Sequence, residues 1–177
     1  ANGENHFSDA VLGGADYAHT ETLLPKDLRQ YSDTYWDKKT FAPSSLIFYV
    51  GVNKNIEKLK HHTLFFDADF EHHADQIYSK KAWPDDPLFY VCNPSKTDDG
   101  VAPIGCENMF ILMPLATGLK DTPELREKYF NQLVDRIQKH LGENIVDHIV
   151  VKESYCVNDF KQDYKRVSDS SLLPPVS

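Results

Sequence analysis

The sequence predicts an α+β fold, with a mostly antiparallel mixed sheet that carries helices on one face. Three observations lead to this fold class. Short apolar runs rich in Phe and Tyr alternate with turn residues, one long segment has helical spacing with clear end signals, and pairs of predicted strands follow each other with no helix between them. The 177 residues, 41% of them apolar, suffice for one globular domain.

The N-terminal quarter of the chain predicts a strand, a turn and a helix. An apolar run at 10–12 precedes Gly13 and Gly14, which favour a turn. The following residues, 15–24, have helical spacing and end before Pro25. We interpret 26–44 as a short helical piece followed by a loop.

The strongest predicted strand is 45–52, and it has no polar face. Leu46 and Phe48 point to one side, while Ile47 and Tyr49 point to the other. A strand of this kind is usually covered on both sides. Further strands are predicted at 63–66, 88–92, 109–115, where Pro114 breaks the run, and 149–151.

Two amphipathic helices are predicted between these strands. The first is capped by Asp67 or Asp69 and runs to about Ser79, with Phe70, Ala74 and Ile77 on its buried side. The second has Thr122 as its cap, Pro123 at its first position and Gly142 after its end. Its apolar stripe is formed by Leu125, Tyr129, Leu133, Ile137 and Leu141. Two helices cover about one face of the sheet, so something else must cover the other.

Charge and composition narrow the function classes. Lys and Arg number 19 against 27 Asp and Glu, and a net charge of −8 argues against a nucleic-acid partner. No apolar stretch is long enough to cross a membrane, and residues 1–6 lack the pattern of a secretion signal. Three widely spaced cysteines fit a reducing compartment. We therefore expect a cytoplasmic location.

Motifs for metal binding or catalysis are weak. Histidines and carboxylates are dense between 61 and 75, but adjacent histidines in a strand point to opposite faces and HExxH is absent, so no metal site is predicted. The chain also lacks G-x-S-x-G and the glycine motifs that hold phosphates, and Cys106 lies in a loop with no partner histidine nearby in sequence. A metal-dependent hydrolase is the least favoured reading, and no catalytic residue is predicted.

Four segments together resemble one known family. They are 44–52, 59–66, 86–98 and 102–110, and the segments 14–17 and 147–150 agree with them in order and spacing. The sequence in these segments is similar to that of the bacterial phytoene desaturases, the FAD-dependent carotenoid desaturases of the flavin amine-oxidase-like superfamily. The resemblance spans roughly residues 6 to 164.

The resemblance implies an internal piece of a longer enzyme. Residues 1–44 would form an edge of the FAD-binding domain and its connection, 45–164 the substrate-binding domain, and 165–177 a divergent, disordered tail. FAD would be bound by the full-length parent, near Gly14, Ala15 and Asp16 by analogy. Because both glycine-rich flavin motifs are missing, we expect the isolated chain not to bind FAD and to be inactive alone.

The family's apolar polyene substrate, such as phytoene, implies a binding surface on the two-faced strands. A non-catalytic module that binds an apolar ligand or another protein is the alternative function. Peripheral membrane contact and self-association through an exposed sheet face are the further expected partners. The side chains predicted to bind substrate are Phe48, Val50, Phe89, Val91, Phe110 and Leu112.

Overall fold

The fold is built on a single five-stranded sheet. A computed structural model describes residues 3–164, and the tail predicted at 165–177 lies outside them. Every strand pair in the described sheet is antiparallel, in the order β2-β3-β4-β1-β5, which confirms the α+β class. The strands are β1 (Ser44–Val52), β2 (His62–Phe65), β3 (Phe89–Cys92), β4 (Glu107–Leu115) and β5 (Ile149–Tyr155).

Five α-helices accompany this sheet in the described residues. The longest, α4, carries both predicted end signals: the Thr122 hydroxyl accepts a hydrogen bond from the amide of Leu125 at 3.3 Å, and Gly142 adopts the left-handed conformation with φ of 71°. None of the described helices is both long and apolar enough to cross a bilayer. The helices are α1 (Tyr17–Thr22), α2 (Asp33–Asp37), α3 (Phe70–Asp75), α4 (Pro123–Leu141) and α5 (Val157–Tyr164).

The core lies between one face of the sheet and helix α4. Strands β1 and β4 pair along their whole length, so that Phe48 lies opposite Ile111. The ring of Phe48 meets Phe130 of α4 edge to face, with centroids 5.1 Å apart. The buried side chains of α4 are Tyr129, Phe130, Leu133, Val134, Ile137 and Leu141.

The N-terminal segment differs from its prediction. Residues 10–12 form no strand, and Val11 and Leu12 are almost fully exposed. Three apolar residues next to a glycine pair lack a partner strand here, so they gain no ladder of hydrogen bonds. Helix α1 forms as predicted but is shorter. It packs within a local aromatic cluster that contains Tyr17, Tyr31, Tyr35 and Trp36.

Two further predictions are corrected near α3 and β4. Asp69 caps α3 as predicted, but Phe70 is 61% exposed and His73 takes the buried position. The helix continues into a π-helical turn, Gln76–Lys80, and this wider turn shifts the helical stripe. Strand β4 runs through Pro114 because its printed pairing with β3 stops at Leu112, and proline is tolerated where a strand is paired on one side only.

Candidate apolar binding face

The sheet has a second face that α4 does not cover, which we call the open face. It presents the alternate residues of each strand, and the pairing register places Tyr90, Leu112 and Ile47 in one row across β3, β4 and β1. The next row contains Cys92, Phe110 and Tyr49 in the same strand order. This face is therefore aromatic and apolar across its three central strands, as the absence of a polar face in 45–52 predicted.

The six side chains predicted to bind substrate do not share one face. Phe110 and Leu112 lie on the open face and are partly exposed. The other four point to the opposite side, where α4 fills the space around them. The signal that separates the two sets is the alternation of burial along β4, which the sequence shows only as continuous apolar letters. The buried set comprises Phe48, Val50, Phe89 and Val91.

The centre of the open face is an aromatic patch beside a shallow depression. Tyr49 is 46% exposed and meets Phe110 edge to face at 5.6 Å, and Tyr90 lies 6.5 Å from Phe110 on its other side. A depression of about 460 Å³ adjoins this patch. Its lining is almost entirely apolar and includes Gly51, Pro94 and Val151. Gly51 keeps the floor open, since a methyl group there would come within 3.2 Å of the Val151 Cβ.

Helix α5 closes one corner of the open face. Tyr155 pairs with Ile47, and its ring packs edge to face on Phe160 of α5 with centroids 4.8 Å apart. The Tyr155 hydroxyl donates to the Asp163 carboxylate at 2.8 Å. Burial first, and then this carboxylate, raises the pKa of Tyr155 well above its usual range. Ile47 is thereby buried, and the accessible part of the face lies over β4 and β3.

The opposite corner of the open face is polar. His62, at the start of β2, lies directly across from Cys92 at the end of β3, and its Nδ1 is 2.6 Å from the Tyr90 hydroxyl. Hydrogen bonding to Cys92, followed by burial, raises the pKa of Tyr90 to about 12. Tyr90 therefore stays a neutral phenol at physiological pH and joins the apolar patch to this corner.

The two adjacent histidines are together rather than apart. The rings of His61 and His62 lie with centroids 4.2 Å apart. The prediction that they point to opposite faces is wrong, because β2 begins only at His62 and His61 lies in the preceding bend, where the alternation of a strand does not apply. A bend of this kind leaves no mark in the pattern of apolar residues.

Gly14, Ala15 and Asp16, the residues predicted to lie near FAD, form the approach to helix α1. A methyl group placed at Gly14 would meet nothing within 4 Å, so the backbone there makes no cradle. The Asp16 carboxylate is already engaged, because it accepts the His19 amide at 2.9 Å as the helix cap. In the described part of the chain, these three residues alone do not fit the needs of a flavin diphosphate.

Comparison with known proteins gives consistent relatives. No family model matches the chain. The carotenoid 3,4-desaturase of Haloarcula japonica is 44% identical over 171 residues, which cover 96% of this chain and 34% of that protein. The 4,4'-diapophytoene desaturase (4,4'-diaponeurosporene-forming) of Staphylococcus haemolyticus is 31% identical over 99% of this chain and 37% of its own length. A 4,4'-diapophytoene desaturase from a Methylomonas species is 35% identical over 60% of the chain and 21% of that protein. The chain thus spans about a third of the length of the first two relatives.

Proposed function

Because the chain belongs to the phytoene desaturase family, we propose that its open face binds the apolar polyene substrate of a carotenoid desaturase. The observation that carries this proposal is the aromatic patch of Tyr49, Tyr90 and Phe110, which borders an apolar depression and is not covered by α4. A long hydrocarbon has no polar atoms to pair, so flat aromatic side chains suit it.

In this proposal the described residues contribute binding and exclusion of water. The desaturase as a whole is an oxidoreductase that introduces double bonds into a carotenoid precursor, with FAD as the expected acceptor of hydride. The open face would hold the polyene extended across β3, β4 and β1. Residues 45–164 then act as the substrate-binding part, and residues 1–44 as the connection to the flavin-binding part.

The free energy available from this face is sufficient for binding. Each large apolar side chain that is fully taken out of water contributes roughly 1.5 to 3 kcal/mol. Phe110 and Leu112 are only partly exposed, so each has a fraction of this energy left to gain, and Tyr49 adds the largest accessible ring. Peripheral membrane contact, which would deliver such a substrate, stays a prediction.

A binding titration tests the proposal. Lycopene in detergent micelles is added to the purified chain, and the shift of its visible absorption bands reports binding. We expect saturable binding by the wild-type chain. The double variant Phe110→Ser with Leu112→Ser should bind at least about tenfold more weakly, since about 1.4 kcal/mol corresponds to that factor.

Two control variants make the test specific for this face. Val91→Ala shortens a side chain on the α4 side of the same sheet, and Tyr78→Ser removes an exposed ring from the π-helical turn. Both should keep the wild-type affinity, as long as circular dichroism shows that they are folded. Equal weakening by Val91→Ala, or no effect of the double variant, would overturn the assignment of the open face.

A further inference from the structure

The polar corner of the open face brings together three side chains that bind transition metals. The ligand atoms of His61, His62 and Cys92 all lie within 4.8 Å of one another. They come from two strands that the sheet holds in fixed register, because His62 and Cys92 are direct cross-strand partners. His61 is fixed as well, since the Asn93 amide donates to its carbonyl at 2.7 Å.

Each histidine ring is also oriented by a hydroxyl group. Nδ1 of His61 is 2.6 Å from the Thr97 hydroxyl, and Nδ1 of His62 is 2.6 Å from the Tyr90 hydroxyl. When Nδ1 of each ring is occupied in this way, Nε2 is the nitrogen left for a metal. Orientation of a ligand ring by a hydrogen bond at its other nitrogen is the usual arrangement around bound metals.

We propose that His61, His62 and Cys92 form a binding site for a divalent transition metal of the zinc class. Imidazole and thiolate ligands together select this class over calcium or magnesium. Tetrahedral zinc needs ligand atoms about 3.3 to 3.7 Å apart, as its bonds of about 2.0 to 2.3 Å imply, so small side-chain rotations would close the observed spacing. On binding, the Cys92 thiol loses its proton to solvent and the thiolate coordinates the ion.

Three protein ligands leave the fourth position of the ion free. That position faces the open side of the sheet, where His62 is exposed and His61 and Cys92 are partly exposed. A water molecule is the expected fourth ligand, as in zinc sites with three protein ligands. The site is independent of polyene binding, since it uses no residue of the double variant described above.

Cobalt titration tests the site directly. Chelator-treated protein is titrated with CoCl₂, and we expect one equivalent to bind with a thiolate-to-cobalt charge-transfer band in the near ultraviolet and displacement by ZnCl₂. Cys92→Ser should abolish the band, and His61→Gln or His62→Gln should weaken binding at least about tenfold. The matched control Cys106→Ser, a partly exposed cysteine in a loop, should leave both unchanged.

A second measurement needs no variant. With the wild-type chain, ZnCl₂ should slow iodoacetamide alkylation of Cys92 at least about tenfold while the rate at Cys106 stays the same. Peptide mass spectrometry separates the two sites. Absence of saturable cobalt binding, an unchanged band in Cys92→Ser, or equal alkylation of Cys92 with and without zinc would each overturn the proposal.

Discussion

His73 is a histidine that the folded chain holds in its uncharged form. The Leu88 amide donates to its Nδ1 at 2.6 Å, and only 3% of the residue is exposed. Burial is the main cause that lowers its pKa below the ordinary value of 6.5. Its position contradicts the expectation that both histidines at 72 and 73 lie at a solvated helix start.

The lowered pKa predicts acid sensitivity. Below about pH 6.5 the unfolded chain takes up a proton at His73 while the folded chain does not, so stability is present at neutral pH and is lost as the pH falls. Urea unfolding at about pH 7.5 and about pH 5.5 measures this loss. It should be smaller in His73→Gln than in wild type, and unchanged in His72→Gln. Equal pH dependence in all three proteins would contradict the prediction.

A second prediction at this scale concerns a buried ion pair that the sequence gave no reason to expect. Glu107 is buried at the start of β4, where Lys96 pairs with it and the Asn93 amide donates to it at 2.6 Å. Lys96→Met leaves the carboxylate without its cation and should lower the free energy of unfolding by about 3 to 5 kcal/mol. Chemical denaturation checks this value.

Two variants control the experiment on Lys96. Adding Glu107→Gln to Lys96→Met removes the unpaired charge and should recover part of the lost stability. Lys80→Met breaks the exposed pair with Asp75 and should change stability little. If Lys80→Met and Lys96→Met had the same effect, burial of Glu107 would not be the cause.

At the scale of elements, the contact between α4 and the sheet dominates stability. Leu133 is fully buried beneath β1 and β4, whereas Leu64 on β2 is 60% exposed. Leu133→Ala should lower the free energy of unfolding by about 2 to 5 kcal/mol through lost burial and a cavity. The same truncation at Leu64 should cost less than about 0.5 kcal/mol. Thermal and urea unfolding of both variants compare the two sites.

Which elements can be predicted from sequence depends on how local their signals are. Helix α4 follows from Thr122, Pro123 and Gly142, all within or beside its own segment, and β1 follows from its apolar run. The side of the sheet that α4 covers depends on register between strands far apart in the chain. For that reason Phe110 and Phe48 could be predicted as apolar strand residues but not assigned to different faces.

The candidate sites show the same limit. The open face follows from the excess of two-sided strands over helices, which composition and periodicity reveal. The meeting of His61 with His62 and Cys92 depends on a bend before β2 and on the pairing of β2 with β3. Neither is visible in spacing along the chain, so the sequence argued against this cluster.

At the scale of the whole molecule, the open face predicts association. An aromatic patch left in water favours any contact that covers it. We expect the purified chain to bind a hydrophobic fluorescent dye and to self-associate with rising concentration, as measured by dye titration and light scattering. Phe110→Lys with Tyr49→Lys should reduce both, and Tyr78→Lys should not. A strictly monomeric wild-type chain without dye binding would contradict this expectation.

The strand order has a consequence for how the chain reaches its native state. The first strand made, β1, is the one whose partners come last, since β4 begins at Glu107 and β5 at Ile149. During synthesis the most apolar segment must therefore wait for about 100 further residues before its second neighbour exists. Pairing between such distant segments is slow, and the waiting strand is open to wrong partners. Biogenesis of this sheet thus depends on what shelters β1 before β5 leaves the ribosome.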